Sequence, residues 1–305
     1  MPQAPAADDP MTPNDRMLLS LNGLSVGDAF GERCFDYWYN DREAMGNRIP
    51  PPPPWLYTDD TEMALSIVDV LRRLGHVDPD VLAAEFARRY DPSRGYGSGA
   101  RELLEKLRAG AGWRQEAPAM FDGTGSYGNG AAMRVAPLGA FFAGDLDRVI
   151  ENAALSAQPT HAHCEGVAGA IAVALGAAFA WRITEGERMT PNAFLTTIAA
   201  RLPACETRDG INVAAELPSG TSAPIAAALL GSGQRVSAQD TVPFALWSAA
   251  HSLGNYTDAL WNTAAGLGDV DTTCAMVGGI VALSAREQGI PPQWIKAREP
   301  LPEGF

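Results

Sequence analysis

The sequence predicts an all-α fold of about ten helices, and three observations carry that expectation. Apolar residues recur at three- and four-residue intervals through most of the chain. No segment alternates apolar and polar residues between hairpin dipeptides. The longest apolar run, VAGAIAVALGAAFAW from Val167 to Trp181, is mostly alanine and glycine, small residues that let helices approach closely. It is shorter than the ~20 residues a membrane-spanning helix needs, so it reads as a central core helix.

Taken in order, the elements begin after MPQAPAADDPMTPND, which has neither the basic nor the apolar region of a signal peptide. Residues 1–15 read as a disordered lead. MLLSLNGLSVGDAFGE carries Met17, Leu18, Leu21 and Leu24 at helical spacing and is expected to end in its glycines. TEMALSIVDVLRRLG places Met63, Ile67, Val70, Leu71 and Leu74 on one stripe and stops at Gly75. DPDVLAAEFARRY and ARELLEKLRAG follow, each closed by turn residues. Later helices are expected in LDRVIENAALSAQ, EGVAGAIAVALGAAFAWRI, TPNAFLTTIAARL, APIAAALLGSG, TVPFALWSAAHSL, NYTDALWNTAAGL and TTCAMVGGIVALSAREQG.

Two loops interrupt this pattern. IPPPPPWLYTDD holds five consecutive prolines, a stiff extended segment that delivers the chain to Asp59. FDGTGSYGNGAAMRVAPLG sets Gly123, Gly125, Gly128 and Gly130 ahead of an apolar stretch. Neither has the composition of a flexible linker, and no internal repeat of fixed period occurs. Residues 16–305 therefore read as a single domain, large enough for one sizeable core.

Hydrophobic residues make up 46% of the chain and charged residues 19%, which excludes a disordered protein. The net charge of −13 disfavours stable nucleic-acid binding and association with anionic membranes. Cys34, Cys164, Cys205 and Cys274 show no CxxC spacing, so neither a disulfide framework nor a zinc knuckle is indicated. Buried free thiols in a reducing, cytoplasmic setting are the expectation.

The chemistry concentrates in LYTDDTEMAL. Asp59 followed by Glu62 resembles a capping box, and that is the ordinary reading of such a stretch by itself. A second cluster changes the weighing: GLGDVDTTCAMVGG supplies Asp269, Asp271 and Thr272, again just before an apolar helix. Four carboxylates and two threonine hydroxyls, split between two helix starts, form a donor set suited to hard cations such as magnesium or manganese. Brought together unpaired, the carboxylates would repel; two divalent ions would neutralise them. The same residues also fit DxDxT, the nucleophile motif of haloacid-dehalogenase-type phosphatases, but only 34 residues follow Asp271 and the surroundings are helical rather than α/β.

GTGSYGNG exposes backbone N–H groups ahead of an apolar segment, a composition able to wrap a pyrophosphate or to form an ordinary turn. His161 and His163 in THAH supply too few ligands for zinc, and hydrogen-bonded structural histidines are the default for both.

These blocks together resemble the ADP-ribosylglycohydrolases, the family of the dinitrogenase reductase-activating glycohydrolase and the ADP-ribosyl-acceptor hydrolases. The resemblance rests on GLSVGDAFGE, YTDDTEMAL, GSYGNGAAMRVAPLG, SAQPTHAH, GLGDVDTTCAMVGGIVAL and the closing IPPQWIKAREPLP, in family order over nearly the whole chain. It implies a compact orthogonal all-α domain with a binuclear centre of two Mg2+, or Mn2+, held by Thr58, Asp59, Asp60, Asp269, Asp271 and Thr272. It implies substrate contacts from Ser126, Tyr127, Gly128, Asn129 and His161, and catalytic carboxylates at Asp60 and Asp271. The implied reaction is hydrolysis of the glycosidic bond joining ADP-ribose to a protein side chain, nucleic acid or small molecule, and a monomer is the expected state.

One departure affects the third catalytic residue. Many members carry a glutamate four residues beyond the GDxxG turn, where this chain has Phe35. Glu32 is the nearest glutamate and is taken as the metal-proximal acid or base, with Asp36 as the alternative. If Glu32 faces solvent, the proton falls to Asp60 or Asp271. The same departure raises a catalytically silent ADP-ribose-binding relative as a rival, and a metal-dependent phosphodiesterase is a third reading.

Overall fold

In the computed structural model the described residues are 11–40, 42–286 and 289–305, with side chains described outside 36–42. Sixteen α-helices and no extended strand occur among them. The first six are α1 (Pro13–Asn40), α2 (Arg42–Gly46), α3 (Asp59–Leu74), α4 (Pro79–Arg89), α5 (Ser98–Arg108) and α6 (Trp113–Gly123). Then come α7 (Ala136–Phe141), α8 (Leu146–Ala157), α9 (Cys164–Thr184), α10 (Pro191–Ala199) and α11 (Glu206–Glu216). The last five are α12 (Ala223–Leu230), α13 (Ala238–His251), α14 (Tyr256–Ala264), α15 (Val270–Ala285) and α16 (Pro292–Ala297).

The all-α expectation is borne out, with more helices than the periodicity indicated. The additional ones are short: α2 has 5 residues, and α7 and α16 have 6 each, less than two full turns over which to display a stripe. The lead expected over residues 1–15 lies outside the described residues up to residue 10, and residues 13–15 already form the first turn of α1.

The largest correction concerns the glycines of α1. This helix does not end in them; it runs 28 residues straight through Gly23, Gly27 and Gly31. A Cβ at Gly27 would lie 2.2 Å from the Cys274 carbonyl oxygen, and one at Gly31 would lie 2.6 Å from the Asp271 Cα. At Gly23 it would meet Gly278 and Ala282. The contacts descend α15 as they climb α1, so the two helices pack antiparallel at backbone distance, one glycine per turn. Packing overrides the weak helix propensity of glycine, and it carries the far part of α1 to the start of α15.

Helix α9 has 21 residues and is long and apolar enough to cross a membrane by length and composition. Its burial is what identifies it: 83% of its apolar window lies inside the protein, as expected of a core helix. The proline segment is fastened by the C-terminal tail. Trp55 N–H donates to the Ala297 carbonyl at 2.7 Å, and Glu299 N–H donates to the Trp55 carbonyl at 2.9 Å. Phe30 of α1 stacks on Trp294 at 4.9 Å and meets Trp261 edge-on at 4.9 Å. These apolar anchors fix where the chain enters α3. All four cysteines are free; Cys34 and Cys274 are buried as expected, whereas Cys164 is exposed and Cys205 half-buried.

Candidate metal centre and ligand cavity

Thr58 caps α3, its side chain accepting from Asp60 N–H, so the helix begins one residue earlier than a cap at Asp59 would place it. The N-terminal N–H groups of a helix have no partner within it, and here a carboxylate from α1 supplies one. Asp28, fully buried, accepts the Thr58 N–H at 3.0 Å and the Thr61 N–H at 3.1 Å. It also accepts the Thr58 hydroxyl at 2.9 Å and the Thr61 hydroxyl at 2.6 Å. With Asp28 serving that end, Asp59 and Asp60 are left to face elsewhere.

Asp269 caps α15 in position, yet its side chain makes no cap bond. It instead accepts from Asn129 Nδ2 at 2.7 Å, and the same amide donates to Thr241 Oγ1 at 3.1 Å. Asn129 thereby ties the glycine-rich loop to the second acidic helix start.

Asp59, Asp60, Asp269, Asp271 and Thr272 line one cavity of about 520 Å3. Burial raises every one of these carboxyls. Asp59 is pushed up to about 7, by burial first and then by the charge of Asp28. Asp60 and Asp271 rise well above the usual carboxylate range, by burial and then by neighbouring carboxylates. Asp28 itself is pushed up to about 6 by burial, against the opposing effect of its four donors.

Two buried oxygens, Asp60 Oδ1 and Asp271 Oδ1, have no hydrogen-bond partner. Buried polar atoms are rarely left so, and carboxylate oxygens without donors are what a hard cation would take up. Among the described residues no three His, Cys, Asp or Glu side chains are gathered tightly enough to hold an ion unaided. Magnesium keeps several waters and needs only one or two carboxylates per ion, so the donor set fits the implied metal with water and ligand oxygens completing it.

The other wall is the glycine-rich loop. Tyr127 carbonyl accepts from Ala238 N–H at 2.9 Å and Asn129 N–H donates to the Val236 carbonyl at 3.3 Å, which pins the loop against the entry to α13. Ser126, Tyr127, Gly128, Asn129 and His161 all line the same cavity as the carboxylates. Phe121 and Tyr127 stand exposed at its edge, ring centroids 6.0 Å apart. Burial, with the charge of Arg134 second, lowers His161 to about 3, so the imidazole is neutral at physiological pH. His163 caps α9, accepting from Glu165 N–H.

Two of the sequence-derived site residues are not part of this lining. Thr58 turns its hydroxyl to Asp28 and Asp60 behind the wall. Glu32 is exposed, a correction to its expected place beside the metals. It sits one turn beyond Asp28, and α1 has already passed the start of α15 at Gly31. The alternative Asp36 lies among side chains outside the description.

Sequence reasoning missed three contributors. Asp28 had a signal, a carboxylate set between the glycines of GLSVGDAFGE. Arg134, fully buried yet lining the cavity, had only its isolation in the apolar AAMRVAPL. Phe121, a residue with φ of 50° after the last regular turn of α6, had none.

Fold and site together define an all-α protein in which two acidic helix starts and a glycine-rich loop close around one cavity. The ADP-ribosylglycohydrolase family model matches residues 9–303, and the chain belongs to that family. It is similar to the ADP-ribosylhydrolase ARH3 of Gallus gallus, 30% identical over 279 residues covering 81% of this chain and 75% of that protein. The ADP-ribosylhydrolase ARH3 of Xenopus tropicalis is 36% identical over 204 residues, 62% of this chain. The matched stretch spans about half, 55%, of that relative's length. A solved ADP-ribosylglycohydrolase-related protein complex shares the fold, with a TM-score of 0.63 at 21% identity over 94% of this chain and 93% of its own.

Proposed function

We propose that this protein is a divalent-metal-dependent hydrolase that cleaves the glycosidic bond between ADP-ribose and an acceptor. The observation that carries the reading is the convergence of Asp59 and Asp60 with Asp269, Asp271 and Thr272 on one cavity, with Asp60 Oδ1 and Asp271 Oδ1 buried and unpartnered. Asp59, Asp60, Asp269, Asp271 and Thr272 would hold the ions, two Mg2+ or Mn2+, with Thr58 supporting Asp60 from behind. When bound, such ions neutralise the carboxylates and lower the pKa of a coordinated water.

The chain's own groups complete the assignment. The loop Ser126–Asn129 and neutral His161 offer hydrogen-bond donors for a pyrophosphate. Phe121 and Tyr127 offer apolar faces for a base. Glycosidic cleavage passes through an oxocarbenium-like state that carboxylates near the anomeric carbon stabilise. With Glu32 exposed and outside the cavity lining, the proton falls to Asp60 or Asp271.

The exposure of Glu32 also favours a second reading, a catalytically silent protein that binds ADP-ribose without turnover. Arginine-, serine-, nucleobase- and O-acetyl-linked ADP-ribose, assayed with and without chelator, separate the two. Release of free ADP-ribose that chelator abolishes is the expected result. Tight binding without release supports the silent relative, and AMP among the products would indicate pyrophosphate cleavage instead.

A further inference from the structure

Behind the glycine-rich loop, Arg134 is completely buried. Its Nη2 donates to the Thr160 hydroxyl oxygen at 2.8 Å and to the Ser156 carbonyl at 3.0 Å, while its guanidinium lies over the Phe86 ring at 4.3 Å. Thr160, also buried, places the same hydroxyl 2.7 Å from His161 Nδ1. Three buried polar side chains in contact, all lining the ligand cavity, require an account beyond packing.

The direction of the hydrogens follows from what each group can do. Arginine has donors and no acceptor, so Thr160 Oγ1 must accept from Arg134. A threonine hydroxyl carries a single proton, and among the described residues two acceptors are within reach: His161 Nδ1 at 2.7 Å and the Ala157 carbonyl at 3.4 Å. The shorter contact is a full O–H hydrogen bond and the longer lies beyond the usual range. Thr160 therefore donates to His161 Nδ1. Because His161 is neutral, its one proton then resides on Nε2. That atom faces the glycine-rich loop: a Cβ at Gly130 would lie 3.1 Å from it, and one at Gly128 3.3 Å.

We propose that Thr160, oriented by Arg134, is a positioning residue that locks His161 in the Nε2–H tautomer, so that an uncharged imidazole presents a hydrogen-bond donor to an anionic group seated on the glycine-rich loop. The opposite tautomer would turn a lone pair toward that group and repel it. Identifying the anionic group as a pyrophosphate rests on the function proposed above; the tautomer itself does not.

The test is a long-range 1H–15N correlation spectrum of [15N]histidine-labelled protein, with His161 identified by the signals lost in His161→Gln. The wild type is expected to show Nε2 protonated and Nδ1 bare. Thr160→Val, confirmed folded by circular dichroism, is expected to lose that single state, and Thr160→Ser to keep it. ADP-ribose affinity measured by calorimetry is expected to fall about tenfold in the valine variant, the value of one hydrogen bond, and to recover in the serine variant. An Nδ1–H tautomer in the wild type overturns the proposal even if the valine variant does not fold. An unchanged tautomer in a folded Thr160→Val overturns it as well. A wild type that shows Nε2–H but binds no ADP-ribose upholds the lock and defeats the functional reading instead.

Discussion

Asp28 accepts the Thr58 hydroxyl at 2.9 Å, joining the middle of the first helix to the cap of the third across 30 residues of chain. Asp28 lines no part of the cavity, yet it fixes the helix start from which Asp59 and Asp60 project. Its removal leaves two N–H groups and the Thr61 hydroxyl with no acceptor in a buried setting, while the Thr58 hydroxyl keeps Asp60 at 3.1 Å. Asp28→Ala is expected to lower the unfolding free energy by about 2 kcal/mol, since relief of carboxylate repulsion offsets part of the lost hydrogen bonding. Partners that orient ligating carboxylates typically change metal affinity by about 10- to 100-fold, so magnesium binding should weaken by that amount in Asp28→Asn. Urea denaturation and metal calorimetry measure the two effects, and unchanged magnesium affinity in a folded Asp28→Asn would count against this role.

Asp271 and Glu32 are expected to behave as opposites. Asp271→Asn removes charge from a cavity-lining oxygen with no other partner, and release of ADP-ribose should fall by about a thousandfold or more, a loss of several kcal/mol of transition-state stabilisation. Glu32→Gln alters an exposed side chain outside that lining and should stay within about threefold of the parent rate. Steady-state release from a labelled acceptor reads both, and a collapse in Glu32→Gln would restore the glutamate to the reacting atoms.

Much of the fold and the acidic part of the site was legible because both are written in local pattern. The α3 stripe and the Asp/Thr clusters need only neighbours in sequence to be recognised. What escaped depended on partners far along the chain. The glycines of α1 read as helix ends until α15 is placed against them, where their missing side chains become the reason the helices touch. Asp28 and Arg134 look like isolated polar residues in apolar segments; only the tertiary contacts to Thr58 and Thr61, and to Thr160, show what they hold. Glu32 follows the Gly31 that packs on Asp271, yet it is exposed and outside the cavity lining, a direction that shows only once α1 is placed against α15.

The close approach of α1 and α15 should be unforgiving at Gly31. A methyl group there would sit 2.6 Å from the Asp271 Cα and from the Val270 carbonyl oxygen, atoms that cannot swing aside as a flexible side chain could. Gly31→Ala is expected to destabilise the protein by about 1–3 kcal/mol through overpacking and to weaken magnesium binding by displacing the start of α15. Gly144, exposed and with open space around its Cα, supplies the control; Gly144→Ala should change stability by less than about 0.5 kcal/mol. Equal midpoints for the two variants in urea would mean that the helix pair tolerates separation.

The carboxylates also predict how stability depends on pH when metal is withheld. In the folded protein Asp28 is pushed up to about 6 and Asp59 to about 7, burial being the first cause for each. An unfolded chain releases those protons near 3.8. Between these values the folded state holds more protons than the unfolded one, so stability falls as pH rises from about 4 through 7, and the full penalty is present above that. The loss should be on the order of a few kcal/mol between pH 5 and pH 8, seen as a melting temperature in EDTA lower by about 5 °C or more at pH 8. Magnesium, binding only the folded state, should recover most of that difference at pH 8 and far less at pH 5, where protons compete for the same oxygens. A melting temperature independent of both pH and magnesium would mean that these helix starts hold no cation at all.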